Sequence, residues 1–524
     1  MIRRVCASGR EAPSPWGQGR GRPGRLRVLA WPILAAALLP WPAPAHSLQG
    51  RDSALVVAEA TAPPTSLDPF KVYGTQAQSL FRLIYAPLFD RDPGGRLVTP
   101  LLDRWGQTDP LTWEFRLREG VRFHDGGELT AADVVFSLRR IVDPSGLSPR
   151  RHEFEQLAEI SALDRHRIRI TTKHPYALLP ARLSQFSMIL PDGLRGRPEA
   201  EFFRHPIGVG PLRLESLDGT QAVLTPFPEY LGTQPKVAQV VFKFLADAGD
   251  RVRGLLDGST DIVTNIPPQQ VDLLAQARKA RLVKRHSIRF MDLMIDSTRG
   301  PLANAEVRRA LRYATDIESL IKYVARGNGR PLATTALPED FGFDPELRAY
   351  PFDPARARAL LVHAGYPHGF PLRGVATHDT QTLAIAVAHQ WAKLGIKLDF
   401  TVEGRAPAIA RWIEERGKID FFFIDPTSIL FDAAYHLRLH LDLRHPMGRS
   451  PDAQALDLLN RADSEPDLGA RAALLRKVQS IVHERALSMP FYQVVDLYGV
   501  RDRVRDFVPS ADTILRVNDV SLAP

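Results

Sequence analysis

The chain has 524 residues, 44% of them hydrophobic and 24% charged, the balance of a water-soluble globular protein too long for a single ordinary core. Its formal net charge is +9, but residues 1–45 hold seven arginines and one acid, so removing their +6 leaves +3 for the rest. A body so nearly neutral has no electrostatic footprint for nucleic acid, and that class of partner is excluded.

Residues 1–45 read as a secretory signal: an Arg-rich start, an apolar run from Leu26 to Leu39, and Ala43-Pro44-Ala45 as a small-x-small cleavage site before His46. The apolar run is short and broken by Pro32, which argues against a retained membrane helix, and no later stretch is long enough to span a bilayer. The only cysteine, Cys6, lies inside this segment, so the mature chain is expected to hold no disulfide and no thiol chemistry.

The segment 111–140, LTWEFRLREGVRFHDGGELTAADVVFSLRR, is the most structured stretch of text in the chain. Trp113, Phe115 and Leu117 alternate with Glu114, Arg116 and Arg118, the period of a half-buried strand, and Val121 and Phe123 suggest a second short one. Asp125-Gly126-Gly127 marks a tight turn. Thr130 with Asp133 three residues on is a capping-box start for a helix that buries Val134, Val135, Leu138 and Ile141. Further on, Ala238, Val240, Phe242 and Phe244 alternate along a strand. In 304–324, Asn304 can cap a helical run of Val307, Ala310, Leu311, Ala314, Ile317, Ile321 and Val324. In 353–366, Asp353 caps, Pro354 takes the first helical position and Gly365 terminates. Ile396, Leu398, Phe400 and Val402 form another strand face, and Leu474, Leu475, Val478, Ile481 and Val482 a last helical stripe.

The wording of 111–140 resembles the signature of the family 5 extracellular solute-binding proteins, receptors of bacterial ABC importers. Other segments follow in that family's order: TSLDPF (Thr65 to Phe70), LIYAPLFDRD (Leu83 to Asp92), HPIGVGPLRLES (His205 to Ser216), ANAEVRRALRYATDIESLI (Ala303 to Ile321), FDPARARALLVHAGYPHGF (Phe352 to Phe370) and MPFYQV (Met489 to Val494). The resemblance implies a mixed α/β, bilobal periplasmic-binding fold with an additional domain. Its parts would be a signal (1–45), a discontinuous first domain (46–90, 205–287 and 489–524), an extra domain (91–204) and an opposing lobe (288–488). Two chain crossings near 287 and 489 would serve as the hinge.

No G-x-S-x-G, H-E-x-x-H, phosphate loop or G-x-G-x-x-G is present, so no enzymatic activity and no cofactor are expected. His436 and His440 stand i, i+4 and are weak metal candidates; without a matched carboxylate or cysteine they read more simply as rim histidines. Arg150, Arg151 and His152 form a basic cluster suited to a ligand carboxylate or to a solvated turn. The resemblance adds Leu67, Asp68 and Phe70 from the first loop and Tyr492 from the return strand. It also implies an acid, in KIDFFFIDPTSILFDAAYHL (Lys418 to Leu437), that captures a ligand ammonium. Laid on this sequence, that acid falls on Ile429. Either Asp425 or Asp432 has then taken over the role, or the ligand lacks a free amine. The second alternative is the one favoured here. If the placement is right, Ile429→Asp should raise affinity for free-amine peptides.

The expected function is a monomeric periplasmic receptor without a lipid anchor. It would bind a small peptide or peptide-like solute by lobe closure and deliver it to an ABC permease with its ATPase. A nickel or other metal chelate, an oligosaccharide or an opine-like conjugate is the alternative solute, and a periplasmic hydrolase the remote alternative.

Overall fold

The structure is a computed structural model that describes residues 53–523, apart from 73–75, 145–147, 149, 186, 276 and 278. The expected signal and its cleavage site lie outside the described residues.

In chain order, strand β1 (Ala54–Glu59) is apolar up to its last residue. The hairpin β2 (Leu102–Asp109) and β3 (Thr112–Leu117) follows, then helix α1 (Ala131–Val142), then β4 (Leu157–Ala162) and β5 (Arg167–Thr172). These four strands make an antiparallel sheet in the order β2-β3-β5-β4. The expected capping box is present: the Thr130 N–H donates to Asp133 Oδ2 at 2.7 Å. The second short strand expected at Val121–Phe123 is not formed. Arg122 makes one isolated bridge to Glu128 across the glycine turn, because the turn closes immediately.

A meander of β6 (Leu212–Leu217), β7 (Gln221–Pro226) and β8 (Gln239–Phe244) returns the chain to β1, which pairs with β8 in parallel. The glycines leading into β6 are placed by close approach. A Cβ on Gly208 would stand 2.0 Å from the Ile84 carbonyl oxygen, and one on Gly210 at 2.6 Å. The backbone of this return therefore lies directly on the end of an earlier helix, Gln76–Ile84, with the Gly210 N–H donating to Ile84 O at 2.9 Å.

After β9 (Ile262–Val263) comes the long strand β10 (Ala280–Ile295). Then follow helix α2 (Ala305–Tyr313), helix α3 (Ile317–Tyr323), strand β11 (Gly329–Pro331) and helix α4 (Pro354–His363). The single helical run expected over 304–324 is thus two helices. Thr315 Oγ1 donates back to Leu311 O at 2.7 Å, and the Asp316 carboxylate accepts the Ser319 N–H at 3.0 Å, capping the second helix where the first ends. Strands β12 (Pro371–Thr377), β13 (Lys397–Glu403) and β14 (Phe421–Ile424), helices α5 (Ala433–Leu441) and α6 (Leu468–Glu484), and the long strand β15 (Met489–Arg501) complete the set used below.

The main sheet runs β13-β12-β14-β10-β15-β9-β1-β8-β7-β6, with β11 on β15. Among the described residues the antiparallel pair β10–β15 links β14 to β9 in this order, and its register shifts between His286 and Phe290 and again between Met291 and Asp292. One apolar core gathers Leu55, Phe89, Phe115, Phe242 and Tyr498; a second gathers Leu293, Leu311, Trp391, Phe423 and Phe491. Strand β15 contributes Tyr492 to the second core, Leu497 to a small cluster with Ala58 and Val263, and Tyr498 to the first. Among the described residues, no helix is long and apolar enough to cross a membrane.

Candidate functional site

Where β10 and β15 pass from one core to the other, a cavity of about 500 Å³ opens beside them, a volume typical of small-molecule sites. Glu59 reaches it from the end of β1, Thr264 and Asn265 from the turn after β9, and Arg289 from the register slip in β10. Asp425 reaches it from the end of β14, where Pro426 stops the strand, and Asp496 from the middle of β15.

The charges are arranged around Arg289. Its Nη2 stands 2.6 Å from Asp496 Oδ1 and its Nη1 4.0 Å from Asp425 Oδ2. These two acids, Asp496 foremost, hold the guanidinium firmly protonated. Asp425 is also hydrogen-bonded by Arg405, which donates to the backbone oxygen of Asp425 at 3.0 Å as well. Asp425 is therefore neutralised from two sides.

Two other carboxylates each keep one oxygen without a donor. Glu59 is 3% exposed; its Oε1 accepts from Thr264 Oγ1 at 2.7 Å, while Oε2 has no hydrogen-bond partner among the described residues. Burial pushes the Glu59 carboxyl up to about 7. Asp496, also 3% exposed, likewise leaves Oδ2 without a partner. Buried carboxylate oxygens are costly to leave unpaired, and these two line one cavity. That arrangement suits a positively charged donor arriving with a ligand.

The structure distributes the sequence candidates widely. Asp425 and Tyr492 line this cavity. Leu67, Asp68 and Phe70 do not: Leu67 and Phe70 are buried in the first core and Asp68 is buried beside them, with Tyr85 donating to Leu67 O at 2.9 Å and Arg140 to Asp68 Oδ2 at 2.5 Å. Arg150 is buried and paired with Glu153 at 2.5 Å, and Glu153 is shared with Arg182. Arg151 and His152 are exposed, and Arg151 donates to Val142 O at 3.1 Å.

Ile429 packs with Ile288, Phe290 and Leu337 in a small apolar cluster and lines neither this cavity nor the larger one described below. Asp432 caps α5 by accepting the Ala434 N–H at 2.9 Å and holds Arg471 through both carboxylate oxygens, at 2.6 and 3.1 Å. His436 and His440 are not at a rim. Both are buried on α5, the first against Phe290 with ring centres 5.0 Å apart, the second 3.0 Å from Asp292. Burial lowers the His436 pKa to about 4. Among the described residues no group of three His, Cys, Asp or Glu side chains is placed to hold a metal ion.

Glu59, Arg289 and Asp496 were absent from the sequence candidates. A signal did exist: Asp496 interrupts the apolar run FYQVVDLYGV, and Glu59 ends ALVVAE. An acid inside or closing a buried strand needs either a partner or a purpose.

The model of the bacterial extracellular solute-binding proteins, family 5, matches residues 96–442. The glutathione-binding protein GsiB of Escherichia coli O1:K1 is 30% identical over 345 residues, covering 64% of this chain and 67% of the relative. Among solved structures, HbpA2 from Haemophilus parasuis superposes with a TM-score of 0.82 at 24% identity, covering 90% of this chain and all of that one. The periplasmic binding protein DppA from Helicobacter pylori, in complex with the peptide STSA, gives 0.76 at 23% identity, covering 90% and 98%. These relatives are binding proteins. The chain belongs to the family 5 bacterial extracellular solute-binding proteins, the solute receptors of ABC importers.

Proposed function

We propose that this chain is a secreted, monomeric periplasmic receptor that closes on a small peptide-like solute bearing a free ammonium group and presents it unaltered to an ABC permease. The observation that carries this reading is the pair of buried, half-unpaired carboxylates, Glu59 and Asp496, in the cavity beside β10 and β15. An ammonium placed between them supplies the missing donors, while Arg289, already held by Asp496 and Asp425, fixes the position of the Asp496 carboxylate. The kinship with a glutathione-binding protein and a structure holding a short peptide supports a solute of that size and class. The free amine reverses the preference drawn from Ile429, because the acids come from β1 and β15 and not from the loop after β14.

In this reading residues 46–90, 205–287 and 489–524 form one lobe with the extra domain 91–204 attached, and residues 288–488 form the other. The slip in β10 between His286 and Phe290 acts as the hinge. Closure excludes water from the charges and strengthens them. Binding, not bond breaking, is the whole reaction; residues 1–45 serve as the export signal.

The test is calorimetric titration with glutathione and with di- and tripeptides, each free and N-acetylated. Acetylation or Asp496→Asn should weaken binding by about 100-fold, the cost of stranding one member of a buried charge pair at about 2–5 kcal/mol. Equal affinity for free and acetylated forms overturns the assignment of the amine site.

A further inference from the structure

A second cavity, of about 750 Å³, lies between the β2–β3 hairpin and the α5–α6 region. It shares no lining residue with the cleft beside β10 and β15. Its walls are largely apolar and aromatic. Trp105 is 41% exposed into solvent and stacks on Trp113 with ring centres 6.0 Å apart, while Phe341 and Phe431 close the opposite side.

The arginines of the lining are all engaged. Arg91 donates to the backbone oxygens of Gly95 at 2.7 Å and Leu430 at 2.6 Å and lies 4.2 Å over the Phe431 ring. Arg471 holds Asp432, and Arg96 holds Asp92 at 2.8 Å. Several of the acids are less committed. Asp463 Oδ2 receives Arg438 at 2.7 Å, but Oδ1 is buried without a hydrogen-bond partner among the described residues. Asp109 is exposed and Glu465 half-buried at the margin. On the opposite wall the indole N–H of Trp113, a residue only 7% exposed, also lacks a partner, although a buried indole usually finds one.

We propose that this cavity is a second ligand site, specific for a small aromatic amine. The aromatic body fills the apolar space against Trp105; the ammonium meets Asp463 Oδ1 and the negative face of the indole. A hydroxyl or carbonyl on the ligand can accept from Trp113. An anion of the same shape is rejected, since every cation at the wall already has a partner and the surplus charge is acidic. The site goes beyond solute capture in the cleft and does not depend on it.

Three probes of one shape test it by calorimetry on the mature full-length protein: 2-phenylethylamine, neutral 2-phenylethanol and anionic 3-phenylpropionate. The amine should bind saturably and at least tenfold more tightly than either analogue. Asp463→Asn should erase that preference, and Trp105→Ala, on an exposed edge strand, should weaken all binding by tenfold or more. Asp496→Asn, in the cleft, should leave the amine's affinity unchanged. Absence of saturable binding, equal affinity for the three probes, or loss on Asp496→Asn with none on Trp105→Ala overturns the proposal. That last outcome would place the amine in the cleft.

Discussion

Glu59 is a single carboxyl whose environment makes a measurable pH signature. Burial holds its pKa near 7 against an ordinary 4.5, so the folded chain keeps a proton that the unfolded chain gives up. Its contribution to stability is complete below about pH 4.5 and is lost as pH rises through 7, a change on the order of 3 kcal/mol. Asp340, pushed by burial up to about 8, extends the same decline. Glu59→Gln should therefore match the parent in chemical denaturation at pH 4.5 and exceed it at pH 8, with the Asp340 part of the slope retained. If a solute ammonium docks beside Glu59, binding must drive that proton off. Calorimetric heats near pH 6.5 should then vary with the ionisation enthalpy of the buffer, and identical heats in phosphate and imidazole would count against the contact. Ile429 makes the contrasting case. At 7% exposure, in an apolar cluster away from the cleft, an introduced carboxylate has no cation to meet. Ile429→Asp should lower the denaturation midpoint, by a few kcal/mol of stability, and bring no gain in peptide affinity.

At the scale of elements, short sequence signatures are explained by what the backbone touches. HPIGVGPL carries Gly208 and Gly210 because the strand entry rests on the Ile84 carbonyl. Gly210→Ala should therefore cost about 1–3 kcal/mol in a denaturant titration through forced backbone displacement; no loss would show that the approach is looser than 2.6 Å implies. The Thr130–Asp133 box and the Asp353 cap use donors and acceptors within a few residues of each other, so they were legible from text; the Asp432 cap uses the same kind of contact, but that acid was read as a ligand partner. The break of the 304–324 run was not. Apolar residues keep a helical period across Ala314-Thr315-Asp316, and only the competition of a threonine back-bond with an aspartate cap decides that the helix stops and restarts. The histidines of α5 were misplaced for a related reason: spacing shows which residues share a helix face, not whether that face meets solvent or Asp292.

At the scale of the molecule, two cores share one sheet, and the pair β10–β15 runs between them with register shifts at His286/Phe290 and at Met291/Asp292. If the lobes close on solute, small-angle scattering should report a smaller radius of gyration when a cleft ligand is added. An unchanged radius with saturated binding would leave the receptor preformed and the hinge without a role. Strand β15 takes part in both cores, with Tyr492 in one and Tyr498 in the other.

Family, mixed α/β class and several capped helices and alternating strands were legible in the sequence, since each of these rests on side-chain periodicity or on groups a few residues apart. Only the tertiary structure decided the site. Glu59, Arg289, Asp425 and Asp496 lie on four separate strands or strand ends, up to 437 positions apart. Which carboxylate is neutralised and which keeps an unpaired oxygen depends on the packing that brings them together.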